Sequence, residues 1–248
     1  MATEADRRVY GTATAADAVQ IDVGLRQYML RVYNYIASGL LLSGLVALLV
    51  TNTGLQNLFF QATETGRPGY TGLGLVAVFA PIGLILLMSF RAQRMNITTL
   101  QACYWGFVAL MGVGLSTVLM IYTGASVVRV FFITAIAFSS LSMYGYTTKR
   151  DLGPVGTFLI MGLVGILIAG LVNIFLQSSM MQFIISAAGV LIFAGMTAYD
   201  TQKIKNSYFH VSGTGVAEHA AIMGAVTLYL DFINLFQFLL HFLGARKE

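Results

Sequence analysis

The chain has 248 residues, of which 57% are hydrophobic and only 10% charged, with a mean hydropathy of +0.79. Soluble domains carry roughly 25% charged residues. There is too little charge here to coat a water-facing surface, which argues against a soluble enzyme, a nucleic-acid module and a disordered chain. Seven spans of about 22 residues use about 154 residues and leave room for short loops and a tail, so the reading is an all-α polytopic membrane protein. The net charge of +4, from 14 Lys and Arg against 10 Asp and Glu, then reflects membrane orientation, with no nucleic-acid partner. Cys103 is the one cysteine, and it supports neither an intramolecular disulfide nor a redox or zinc site.

Residues 1–25 place Glu4, Asp6, Arg7, Arg8, Asp17 and Asp22 among Ala, Thr and Gly. That composition cannot bury an apolar face, and the segment reads as a mobile cytoplasmic tail. It has no apolar core of the signal-peptide kind, so the first membrane helix is expected to act as the insertion signal. Residues 26–248 form one domain, with apolar stretches at 28–50, 72–90, 97–121, 127–146, 155–176, 181–199 and 220–243. Each approaches or exceeds spanning length. Between them lie turn signals such as Thr51-Asn52-Thr53-Gly54, Gly66-Arg67-Pro68-Gly69, Tyr122-Thr123-Gly124 and Asp151-Leu152-Gly153-Pro154, which punctuate helices. Small residues such as Gly39, Ser43, Gly162 and Gly165 allow helix backbones to approach closely in lipid. No internal repeat suggests an inverted-repeat transporter.

Lys and Arg in short loops set orientation. One side collects Arg7, Arg8, Arg26, Arg31, Arg91, Arg94, Lys149, Arg150, Lys203 and Lys205. The other has Arg67, Arg129 and the terminal pair Arg246 and Lys247. This predicts a cytoplasmic N-terminus. Seven crossings then put the C-terminus outside, against the pull of the terminal pair, and six spans with a re-entrant last segment is the rival topology.

Ionisable residues inside apolar runs are costly and mark function. Asp231, in LYLDFINLF, lies about eleven residues and about 16 Å into the seventh stretch, near mid-membrane. Asp200, in AYDTQKIK, falls at the cytoplasmic end of the sixth. If the sixth helix runs somewhat past its apolar stretch, the two carboxyl groups approach each other. A pair sharing one proton is a pH-sensitive device, because ionising both forces like charges together. The ionised pair also offers hard oxygen ligands for a transient Ca²⁺ contact. Arg91 and Arg94, after the second stretch, are candidate latches for a carboxylate or else topology determinants. Asn234, nearly one turn after Asp231, is its candidate hydrogen-bond partner. His210, His219 and His241 border the membrane and are weak signs of sensing.

Zinc, phosphate-loop and nucleophile-elbow motifs are all missing, and the four lysines lie in loops or the tail, so neither an intramembrane protease nor a retinal protein is indicated. The expectation is of no enzyme and no cofactor. RQYMLRVYNYIASGL, AYDTQKIK and LYLDFINLF resemble motifs of the Bax inhibitor-1 family, also called transmembrane Bax inhibitor motif proteins. The resemblance spans most of the chain and looks like a bacterial inner-membrane member. It implies a seven-helix bundle with the seventh helix central, wrapped by the other six, and a pH-sensitive calcium leak. It implies that Asp200 and Asp231 form the proton-sensing gate and that Arg94, or Arg91, is the latch. Unlike some relatives, this chain has no acidic residue in its second stretch, LVAVFAPIGLILL. Some bacterial relatives associate with a membrane-bound protease of the AAA class through their tail, which here is residues 1–25. The expected function is therefore a proton-gated Ca²⁺ (cation) leak in the lipid bilayer. The alternatives are a proton-coupled cation exchanger and a non-transporting regulator of that protease.

Overall fold

A computed structural model describes the backbone of residues 4–62 and 68–247 and the side chains of residues 23–61, 69–92 and 94–247. In chain order the described elements are α1 (Glu4–Asn52), the single turn α2 (Gln56–Phe59), strands β1 (Phe60–Ala62) and β2 (Pro68–Tyr70), α3 (Gly72–Arg91), a 3₁₀ turn (Ala92–Arg94), α4 (Ile97–Ile121), α5 (Gly124–Thr147), α6 (Gly153–Leu176), α7 (Ser179–Val211) and α8 (Ala217–Leu243). Among the described residues seven helical segments are long and apolar enough to span, the first being Val23–Asn52 within α1. The chain is a multi-pass helical membrane protein. α8 is one unbroken helix of 27 residues, about 40 Å at 1.5 Å per residue, so the last segment is long enough to cross as a single helix and has no break of the re-entrant kind.

The expectation of a mobile tail falls on residues 1–25. Of these, residues 1–3 and the side chains up to 22 lie outside the described residues, while the backbone from Glu4 belongs to α1. The turn holding Arg67 is likewise outside them. Strands β1 and β2 pair antiparallel on either side of that turn. Thr71 then starts α3, its hydroxyl accepting from Gly74 N at 3.0 Å.

At the two extremes hydropathy and burial run in opposite directions. α6 is the most apolar, with a mean hydropathy of 2.6 and 6% of its spanning window buried; α8 is the least, at 1.5 with 67% buried. Lipid accepts apolar side chains everywhere, so only a helix surrounded by protein has reason to carry polar groups. α8 packs against α1, α4, α5 and α7, whereas α3 leans chiefly on α4 and α6 on α7. The last helix is thus the most enclosed, packed chiefly against α1, α4, α5 and α7.

The sixth span departs most from the apolar pattern. That pattern ends at 199, yet α7 continues to Val211, 33 residues in all. The extra turns are polar outside, but Thr201, Ile204 and Tyr208 keep one buried face, so an amphipathic extension carries the helix beyond its uniformly apolar part. At the opposite end, the residues after α8 are strapped to the α4–α5 turn. Ala245 O accepts from Thr123 N at 3.0 Å and Ile121 O from Lys247 N at 2.9 Å. Lys247 Nζ donates to Leu119 O at 2.7 Å. The terminal basic charge therefore serves the carbonyl end of α4, where a cation is favourable, which accounts for its place against the loop-charge bias.

α1 and α4 meet where Gly112 has no side chain: a Cβ there would stand 2.7 Å from the Ser43 carbonyl oxygen and 2.8 Å from Val46 Cβ. Gly112→Val is expected to cost about 1–3 kcal/mol and lower the thermal midpoint in detergent. Gly114→Ala, where a Cβ meets nothing within 4 Å, leaves stability unchanged or raises it by up to about 1 kcal/mol.

Candidate functional site: a buried carboxyl pair between α7 and α8

The extension of α7 decides where Asp200 sits. Instead of ending the helix, it lies eleven residues before Val211, about 16 Å inside that end. It shares a buried face with Thr197, Thr201 and Ile204. Asp231 is fourteen residues after the start of α8, about 21 Å along it. Because α7 and α8 run antiparallel, joined by residues 212–216, these depths bring the two acids to within about one turn of each other. Each is only 4% exposed, and their side chains are within hydrogen-bonding reach.

Two ionised carboxylates are acceptors only. In that state Asp231 Oδ2, fully buried, has no partner. One proton between the groups, with the Asp231 carboxyl donating to the Asp200 carboxylate, removes the deficit. Both acids border a cavity of about 370 Å³ between α6, α7 and α8, with Thr227 and Asn234 as its other polar residues. Phe193 and Phe238, also on its wall, stack at 5.7 Å and 25° toward the α8 C-terminal end. This arrangement can hold or release a proton inside the bilayer, and the oxygens can contact a passing cation. Among the described residues no group of three or more His, Cys, Asp and Glu is placed to hold a metal ion.

The other anticipated site residues are arranged differently. Asn234 Nδ2 donates to Leu230 O at 2.8 Å: it borders the cavity but bonds back to its own helix, not to Asp231. Arg91 ends α3 and Arg94 ends the 3₁₀ turn, where Arg94 borders a separate cavity with His219. Among the described residues neither pairs with a carboxylate. Among the described residues the one ion pair is Arg31 with Glu218, at 3.5 Å. The cation that acts on Asp200 is Lys203, on α7 itself.

Three features carried no sequence motif. The Ser142 hydroxyl bonds Tyr33 Oη at 2.7 Å and Thr201 Oγ1 at 2.9 Å, linking α1 and α5 to the residue after Asp200. Gln202 holds the α5–α6 connection, its Oε1 accepting from Leu152 N at 2.9 Å and its Nε2 donating to Arg150 O at 2.8 Å. Gln101 Nε2 donates to Tyr35 Oη at 2.8 Å, beside the Arg31–Glu218 pair. Only the placement of small polar residues in otherwise apolar runs hinted at them.

The fold and the embedded acids define a class, a seven-span bundle with a carboxyl pair at its most enclosed helix. Residues 25–248 match the family model described as inhibitor of apoptosis-promoting Bax1, and the chain belongs to the Bax inhibitor family. It is 45% identical to a protein of Rickettsia prowazekii, over 92% of this chain and 93% of that one. It is 43% identical to a protein of Caulobacter vibrioides, over 97% and 98%. Inner membrane protein YbhL of Escherichia coli is 39% identical, over 92% and 96%.

Gln202 is only 7% exposed, and removing its amide strands a buried N–H and a carbonyl beside the site. Gln202→Ala is expected to lower unfolding stability by about 1–3 kcal/mol. Gln202→Glu keeps the acceptor but sets a buried carboxylate oxygen against the Arg150 carbonyl, so its loss should be at least as large in the same thermal-melt assay.

Proposed function

We propose that this chain is a non-enzymatic, pH-sensitive cation leak in a bacterial inner membrane, with Ca²⁺ as the favoured permeant ion. The observation that carries the reading is the carboxyl pair, two acids on adjacent helices, both nearly sealed from solvent and both bordering one intramembrane cavity. The name of the Escherichia coli relative, an inner membrane protein, supports the location, and the loop charges support a cytoplasmic N-terminus.

With one proton shared, α7 and α8 are tied together and the leak is closed. Ionising both groups removes the bond and sets two like charges against each other at low effective dielectric. The helices then part, and the freed oxygens line the opening. Two carboxylates without a third ligand suit passage better than retention, because strong cation binding needs six or more oxygens. The stacked Phe193 and Phe238 form an apolar constriction on one side of the pair, of the kind that gates by excluding water.

The sign of the pH effect follows: conduction increases as the pair loses its proton. In proteoliposomes, Ca²⁺ flux is expected to rise between about pH 6 and about pH 8, and to lose that dependence in Asp200→Asn and Asp231→Asn, whose amides do not ionise. Flux no greater than that of empty liposomes at every pH would overturn the reading.

A further inference from the structure

On the face of α8 away from the carboxyl pair, α1 and α5 stand apart with a groove between them. A cavity of about 680 Å³ is bounded by Tyr33, Leu41 and Leu48 of α1, Ala135 and Ser139 of α5 and Phe232 of α8. A second, of about 460 Å³, shares Tyr33, Phe138 and Ser139 with it and continues to Arg26 and Tyr146. A third, of about 320 Å³, shares Leu40, Gly44 and Phe131 and continues past Val128. Together they make one groove from Arg26 to Leu48, about 33 Å along α1 at 1.5 Å per residue. That matches the hydrocarbon thickness of a bilayer, about 30 Å.

The two ends differ in charge. Arg26 stands at one end and is exposed. Next to it, Tyr146 carries Lys205, whose Nζ donates to the Tyr146 carbonyl at 2.7 Å and lies 5.6 Å from its ring centroid. Beyond these cations the walls are apolar, with Leu30 49%, Leu41 65% and Met143 67% exposed, above a floor of Phe138 and Phe232. A long apolar trough with cations at one end has the charge pattern of an acyl chain below an anionic headgroup.

We propose that this groove is a binding site for an anionic glycerophospholipid, with its phosphate on Arg26 and Lys205 and an acyl chain lying between α1 and α5. Arg26 supplies the planar fork that suits phosphate. The lipid belongs to the leaflet on the Arg26 side, and half the core, about 15 Å, brings its chain past Ala37, an exposed residue of the groove wall.

Native mass spectrometry of the full chain, released from vesicles of phosphatidylcholine and phosphatidylglycerol, tests this. Wild type is expected to retain one phosphatidylglycerol in preference to phosphatidylcholine. Arg26→Gln should cut that preference about five-fold, the worth of one cation at a membrane surface. Ala37→Trp, placing an indole in the groove, should abolish retention of either lipid with the thermal midpoint unchanged. Equal retention of both lipids in wild type and Arg26→Gln would show annular lipid only. A lipid-free dimer lost in Ala37→Trp would show a second copy in the groove. Either result overturns the proposal.

Discussion

A buried carboxylate without a partner is among the most expensive groups a membrane bundle can hold, and this one holds two, on neighbouring helices and each 4% exposed. Among the described residues no cation from another helix pairs with either of them: Asp200 has Lys203 of its own helix and the neighbouring Asp231, whereas Asp231 has only Asp200. The closeness of the two acids favours one register of α7 against α8. A slip of either by one turn, about 5.4 Å, would leave one acid facing apolar side chains and the other without its proton-sharing neighbour. Asp231 lies on α8, which is both the least hydrophobic span and the most enclosed.

The rest of the bundle follows the same rule of pairing polar groups across helices. Ser43 Oγ reaches Tyr229 Oη and Val108 O, each at 2.6 Å, joining α1, α4 and α8 at a place where water is excluded. Tyr104 Oη donates to Tyr35 O at 2.6 Å. Near the start of α8, Arg31, Gln101 and Tyr35 gather on Glu218, an acid in the first helical turn where the helix dipole favours it. The peripheral helices α3 and α6 need no such devices because lipid solvates them. α8 therefore has two working faces. Asp231 looks toward α6 and α7, while the adjacent Phe232 floors the groove between α1 and α5.

Much of this was legible in the sequence because bilayer thickness imposes a length on every apolar run. The seven spans and the loops between them follow from hydropathy alone, and Asp231 stood out because LYLDFINLF is otherwise apolar. Asp200 was harder. AYDTQKIK carries charges of both signs, and only the buried phase of Thr201, Ile204 and Tyr208 keeps α7 going beyond it. The partners of the site were least legible. Asn234 has the spacing to serve Asp231, but its amide found the Leu230 carbonyl first. Arg91 and Arg94 are basic residues near a helix end, and nothing in their spacing tells a latch from a topology signal. The roles of Ser142 and Gln202 depend on residues fifty or more positions away, and no local pattern encodes such contacts.

The central claim is that Asp200 and Asp231 are energetically one unit. A double-mutant cycle of thermal unfolding in detergent, using Asp200→Ala, Asp231→Ala and both together, tests it most directly. Each single change strands one buried carboxyl, whereas the double change removes both. The account predicts that the two single losses sum to at least about 1 kcal/mol more than the loss in the double variant. Losses that add to within about 0.5 kcal/mol would show two independent acids and contradict it.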